Sequence, residues 1–165
     1  MSRYAMIMAG GAGTRLWPMS RTAQPKQLIP FIDGRSLLQI AADRLEGVVP
    51  VERRLICTGR DHLEVIRQRL PEFTDERLLG EPTGRDTLNA IGLTAAVLAL
   101  QDPDAVFAVL TADHLITPQE EFARCMQLGF DLVEADPKRM VTFGITPTHP
   151  ATGYGYVQLG DPVEA

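Results

Sequence analysis

Short apolar runs of strand length alternate along this chain with longer stretches whose apolar residues recur at helical spacing, and this alternation most limits the fold. Runs at Tyr4 to Ala9, Leu55 to Thr58, Leu78 to Leu79, Ala105 to Leu110 and Met140 to Ile145 read as strands. Between them, capping boxes at Ser36-Leu37-Leu38-Gln39 and Asp61-His62-Leu63-Glu64 open two helices, the second stopped by Pro71. Leu88, Ile91, Ala95 and Leu98 form the stripe of a third helix. Thr117-Pro118-Gln119-Glu120, a cap followed by a proline and a capping glutamate, opens a fourth that runs to about Ala135. Strands joined by such helices need right-handed crossovers, so the expected fold is α/β, a Rossmann-like doubly wound and mostly parallel sheet covered on both faces. Ala105 to Leu110 is the most apolar run and is expected to be central. Without repeats or a linker, residues 1–165 read as one domain, with a further strand-like pattern at Thr152 to Leu159.

Ligands of such sheets bind at the carboxyl ends of the strands, which directs attention to the loops Gly10 to Lys26, Thr58 to Asp61, Glu81 to Thr87 and Thr111 to Thr117. Charge narrows what they can bind. With 16 Lys plus Arg against 21 Asp plus Glu, the net charge of −5 gives no electrostatic reason to expect a nucleic acid polymer, but it leaves a single nucleotide open. No apolar run approaches the roughly 18–20 residues of a membrane helix, so no membrane partner is expected. Cys57 and Cys125 lie in apolar periodic segments away from any Cys-x-x-Cys or histidine cluster, and read as reduced core residues of a cytoplasmic protein.

The first loop, Gly10-Gly11-Ala12-Gly13-Thr14-Arg15-Leu16-Trp17-Pro18, continuing through Arg21 to Pro25-Lys26, carries the most chemistry. Glycines let backbone N–H groups approach phosphate oxygens, and nearby cations neutralise the charge. No Gly-Lys-Ser or Gly-Lys-Thr is present for a P-loop, and Leu16 stands where a dinucleotide fingerprint needs glycine. A glycine-rich phosphate loop with Arg15 remains, and Lys26 can return to the same phosphates.

These residues, with Pro25-Lys26-Gln27, resemble the signature of the sugar-1-phosphate nucleotidyltransferases. Leu16-Trp17-Pro18-Met19-Ser20-Arg21 has the form found in members that transfer a guanylyl group to mannose 1-phosphate. Glu81-Pro82-Thr83-Gly84-Arg85-Asp86-Thr87, Thr111-Ala112-Asp113-His114 and Ala151-Thr152-Gly153-Tyr154-Gly155-Tyr156 agree in order, so the resemblance spans Tyr4 to Leu159. It implies the nucleotide-diphospho-sugar transferase fold and an enzyme that moves GMP from GTP to mannose 1-phosphate, giving GDP-mannose and pyrophosphate, with Mg²⁺ as cofactor. It implies Arg15 and Lys26 as catalytic residues. Ala9, Gly10, Gly11, Gly13, Thr14, Glu81, Gly84, Arg85 and Asp86 would bind the nucleotide, Gly153, Tyr154 and Gly155 the sugar, and Asp113 the metal. In-line displacement between anions needs positioning and charge neutralisation rather than a protein nucleophile.

Plainer readings stand beside these. Asp86 or Thr87 could simply cap a helix, Asp113 could be a cap or a salt-bridged surface group, and Tyr154 and Tyr156 could pack on the core. His62, His114 and His149 read as structural. Thr111 and Asp86 depart from the family's usual proline and asparagine, and at Asp86 an acceptor-only carboxylate replaces an amide with donors. The family's sugar-phosphate motif and second acidic metal ligand come later than residue 165, so the chain reads as the N-terminal nucleotide-binding portion of the transferase domain, incomplete at its C-terminus. Transfer with another nucleotide or sugar phosphate, a non-catalytic nucleotide-binding fragment, and assembly into a homo-oligomer stay open.

Overall fold

A computed structural model describes residues 1–11 and 26–162 of the chain. Its frame is a four-stranded parallel sheet formed by β1 (Ser2–Met8), β4 (Arg54–Gly59), β5 (Leu78–Glu81) and β6 (Ala105–Thr111), in the spatial order β5-β4-β1-β6. Two short strands, β2 (Pro30–Ile32) and β3 (Arg35–Ser36), make a small antiparallel hairpin. The helices are α1 (Leu37–Asp43), α2 (Leu63–Arg69), α3 (Asp86–Gln101) and α4 (Gln119–Ala135). Ser36 caps α1 as its capping box predicts, its Oγ accepting from the Gln39 N–H at 3.2 Å. The Asp61 box is realised differently. Arg60–His62 forms a tight 3-10 turn, and α2 starts at Leu63 with no side-chain cap. Helix α4 likewise starts one residue after the proline, which takes the cap position itself.

Side chains alternate across the sheet, so β1 feeds two cores. Ala5, Ile7 and Ala9 pack with Ile56 against Leu38 and Ala41 of α1, Ile66 of α2, and Met126 and Phe130 of α4. Met6 packs with Leu55 and Cys57 against Ala90 and Leu98 of α3 on the opposite face. The sheet is thus covered on both faces, the doubly wound arrangement that the βα alternation requires. Each fully buried large aliphatic side chain contributes about 1.5–3 kcal/mol of transfer free energy.

Five expectations need correction. Strand β6 is not central. Among the described residues it pairs only with β1 and forms an edge, because apolar content reports a demand for burial while the crossovers set the order. Met140 to Ile145 is not a strand. It finds no partner along β6, Met140 stays 96% exposed, and the Phe143 ring lies so close to α4 that a Cβ on Gly129 would be 2.5 Å from it. Thr152 to Leu159 is also without strand pairing, and both segments lack the ladder that would satisfy an extended backbone. The buried face of α3 is Ala90, Thr94 and Leu98, whereas Leu88 and Ala95 are exposed. That helix is apolar nearly all round, so its pattern does not select a face. Thr94 can enter the core because its Oγ1 donates to the Ala90 carbonyl at 2.9 Å. Both cysteines are free, but only Cys57 is a buried core residue. Cys125 is half-buried on α4, its thiol against the Glu121 carboxylate. No helix among the described residues is long and apolar enough to cross a membrane.

Candidate functional site

Because the strands of the main sheet are parallel, the loops after β1, β4, β5 and β6 emerge at one edge. The chain winds outward from β1 to β4 and β5, then crosses back to place β6 on the other side of β1. The reversal between β1 and β6 opens the crevice where doubly wound sheets take ligands.

Two strand ends meet there. Ala9 continues from β1 with its N–H bonded to the Cys57 carbonyl at 2.8 Å, and its own carbonyl accepts from the buried Thr58 hydroxyl at 2.9 Å. The chain then turns through Gly10 and Gly11. Gly11 has φ +102°, a conformation that side-chain-bearing residues rarely adopt. Buried Gln27 donates from Nε2 to the Gly10 carbonyl at 2.5 Å, tying the far end of the glycine loop back to its start. This bond sets Lys26 beside the loop, and Lys26 Nζ donates to Asp113 Oδ2 at 2.8 Å. Asp113 stands two residues past β6, in a turn held against β1 by the Ala112 N–H bonded to the Met8 carbonyl at 3.1 Å. The Lys26 and Asp113 side chains are 23% and 43% exposed, so the pair is accessible to solutes. The adjacent ammonium holds the Asp113 carboxyl below its ordinary pKa and keeps it ionised at neutral pH.

The structure therefore brings together Ala9, Gly10, Gly11, Lys26 and Asp113. Glu81 ends β5, two strands from β1 and so about 10 Å across the sheet. It is buried near Cys57, whose thiol is pushed up to about 11, chiefly by burial and secondarily by that carboxylate. Gly84, Arg85 and Asp86 follow on an exposed turn into α3. Neither Asp86 nor Thr87 occupies the cap position, which Arg85 holds without a side-chain bond, and Asp86 takes φ +58°. Gly153, Tyr154 and Gly155 belong to an exposed turn closed by its own bonds: the Tyr156 hydroxyl accepts from the Ala151 N–H at 2.8 Å and donates to the Ala151 carbonyl at 2.9 Å. Tyr154 and Tyr156 are exposed rather than packed on the core. Gly13, Thr14 and Arg15 lie outside the described residues. Spacing alone gave no role to Gln27 or Thr58, although Gln27 follows Lys26 directly and Thr58 opens one of the loops selected by topology.

A family model described as nucleotidyl transferase matches residues 4–165. A putative mannose-1-phosphate guanylyltransferase of Vibrio cholerae serotype O1 is 38% identical over 161 residues, covering 96% of this chain and 34% of that protein. Mannose-1-phosphate guanylyltransferase ManC of Salmonella typhimurium is 38% identical over 164 residues, covering 97% of this chain and 34% of that protein. A crystal structure from Thermus thermophilus, named a mannose-1-phosphate geranyltransferase, superposes with a TM-score of 0.73 at 39% identity, over 81% of this chain and 39% of that one. The chain thus spans about a third of the length of these two curated relatives. A family match over nearly the whole chain, on a doubly wound sheet whose glycine loop and carboxylate turn converge, has one conclusion: this chain belongs to the nucleotidyl transferase family.

Proposed function

We propose that residues 1–165 are the N-terminal, nucleotide-binding portion of a nucleotidyltransferase domain that moves GMP from GTP to mannose 1-phosphate. The observation that carries this reading is the Lys26–Asp113 pair, set by a glycine turn at the switch point of the sheet. The guanylyltransferase names of the relatives support the choice of substrates. An oxygen of mannose 1-phosphate attacks the α-phosphorus of GTP. The new O–P bond gives GDP-mannose, and the bond to the bridging oxygen breaks to release pyrophosphate.

Both reactants are anions, so the protein's work is to hold them in line and neutralise developing charge. Backbone N–H groups around Gly10 and Gly11, with Gly13 and Thr14 beyond the described residues, take the phosphates and the base edge beside Ala9. Lys26, joined by Arg15, offsets charge on the leaving pyrophosphate. Glu81, Gly84, Arg85 and Asp86 line the guanosine side, and Gly153, Tyr154 and Gly155 the sugar side.

A divalent metal suits Asp113. It is a hard, ionised, solvent-accessible carboxylate at the strand edge, and the buried Thr111 Oγ1 nearby has no hydrogen-bond partner among the described residues. No cluster of three or more ligating side chains occurs among those residues, which fits Mg²⁺, an ion that keeps waters and shares phosphate oxygens, better than a caged metal. Bound there, Mg²⁺ would supply Lewis-acid neutralisation of the phosphates. The two free thiols suit a cytoplasmic setting.

Pyrophosphate release by the intact protein that carries this chain, measured with mannose 1-phosphate and each of GTP, UTP, dTTP, CTP and ATP, tests the reading. GTP should turn over fastest. Preference for another nucleotide would overturn the substrate assignment, and GTP binding without turnover would favour a non-catalytic binding role.

A further inference from the structure

Arg44, the residue that ends α1, is a buried cation without a carboxylate. It is 4% exposed, forms no ion pair among the described residues, and its Nη1 has no hydrogen-bond partner among them. Burial alone pushes its pKa down. Leaving a charge in such a place is strongly unfavourable unless other contacts offset it. Its backbone N–H closes α1 on the Ile40 carbonyl, and its guanidinium and its carbonyl point one way. Nη2 donates to the His114 carbonyl at 2.5 Å, directly after Asp113, and the guanidinium lies over the Phe122 ring of α4 at 5.6 Å from its centroid. The Arg44 backbone carbonyl accepts from Gln119 Nε2 at 2.7 Å, at the first turn of α4. One residue thus spans the segment between β6 and α4, gripping it at its carboxylate end and at its helical end.

Arg54 provides an internal contrast. This half-buried arginine at the start of β4 reaches the end of α1, donating from Nε to the Val49 carbonyl at 2.7 Å and from Nη1 to the Ala42 carbonyl at 3.2 Å. The burial that lowers its pKa is opposed by Glu46, Asp43, Glu52 and Glu72. None of these bonds reaches the segment from β6 to α4.

We propose that Arg44 is a positioning residue for the proposed transfer: its guanidinium fixes the turn that carries Asp113, so that the carboxylate faces Lys26 and the phosphates. The inference rests on the reading of Asp113 as the metal-holding carboxylate. Groups that orient a metal ligand from behind typically cost 10–100-fold in metal affinity when lost, although they never touch the ion.

The test compares Arg44→Met, Arg44→Lys and Arg54→Met in the intact protein, each well below its unfolding midpoint. Hydrogen exchange of the backbone amides of residues 112–116 should rise about tenfold in Arg44→Met and stay near wild type in Arg54→Met. Mn²⁺ titrated by electron paramagnetic resonance, with a non-hydrolysable GTP analogue present, should bind about tenfold more weakly to Arg44→Met. Arg44→Lys, which keeps a donor for the His114 carbonyl, should recover most of both. Unchanged exchange at 112–116 in Arg44→Met, or an equal rise in Arg54→Met, would overturn the assignment. Asp113→Asn separates the two layers: if it leaves Mn²⁺ affinity untouched, the metal reading of Asp113 fails, while exchange at 112–116 still decides the role of Arg44.

Discussion

The segment that follows α4 and the main sheet both carry strand-like apolar patterning but have very different structures. In Tyr4 to Ala9 the apolar residues are tied into ladders with β4 and β6 and sandwiched between helices. In Met140 to Ile145 apolar residues hold four of the six positions, yet Met140 and Ile145 lie in solvent and no ladder forms. A strand-like pattern states what a segment would bury; only a neighbour with free backbone groups makes it a strand.

The largest expected effect sharpens this contrast directly. Ile7→Ala removes a fully buried side chain from the first core and should destabilise the fold by about 2–5 kcal/mol, whereas Ile145→Ala should change stability by less than about 0.5 kcal/mol. Denaturant melts of both variants check it, and comparable losses would mean that the tail shares the core. Gly129→Ala probes a close approach of the tail to α4, the helix that packs Met126 and Phe130 into the first core. A helical glycine replaced by alanine gains about 0.5–1 kcal/mol, while the added Cβ must push aside the half-exposed Phe143 ring. The net change should stay within about 1 kcal/mol. A loss well above that would show Phe143 packed as firmly as the sheet.

The smallest effect lies in the acid limb of stability. Asp113 has a folded-state pKa held below its unfolded value by Lys26. Its contribution is therefore fully present above the unfolded pKa of about 3.9 and fades as pH falls through the depressed folded value. Asp113 is partly solvent-exposed, so the contribution is modest. Asp113→Asn should flatten the pH dependence of the melt below about pH 4 and leave its shape near neutrality unchanged. An acid limb identical to that of the wild type would mean that the pair adds nothing to stability.

Much of the frame was legible because it is written locally. Ser36 caps α1 through a residue three positions on, and the glycine turn and Asp113 sit immediately after apolar runs. What escaped the sequence is carried by long-range bonds. Arg44 meets His114 across 70 positions and Thr58 meets Ala9 across 49, and no spacing rule encodes either. The edge position of β6 was hidden for a related reason: an all-apolar run looks the same whether a second neighbour is present or not. Tyr154 and Tyr156 stand exposed, so the aromatic-core reading of that segment fails, and its proposed sugar contacts still rest on resemblance.

The two halves of the candidate site meet in one ion pair, and Lys26 is the half whose removal leaves the fold most nearly intact. In the intact protein, kcat for GMP transfer from GTP to mannose 1-phosphate should fall about 100-fold or more in Lys26→Ala, the scale expected when a preorganised charge is removed from a reacting phosphate. The melting temperature should move by only a few degrees, because an exposed pair contributes about 1 kcal/mol or less. An unchanged kcat in a well-folded Lys26→Ala protein would contradict the assignment of this crevice as the site of transfer.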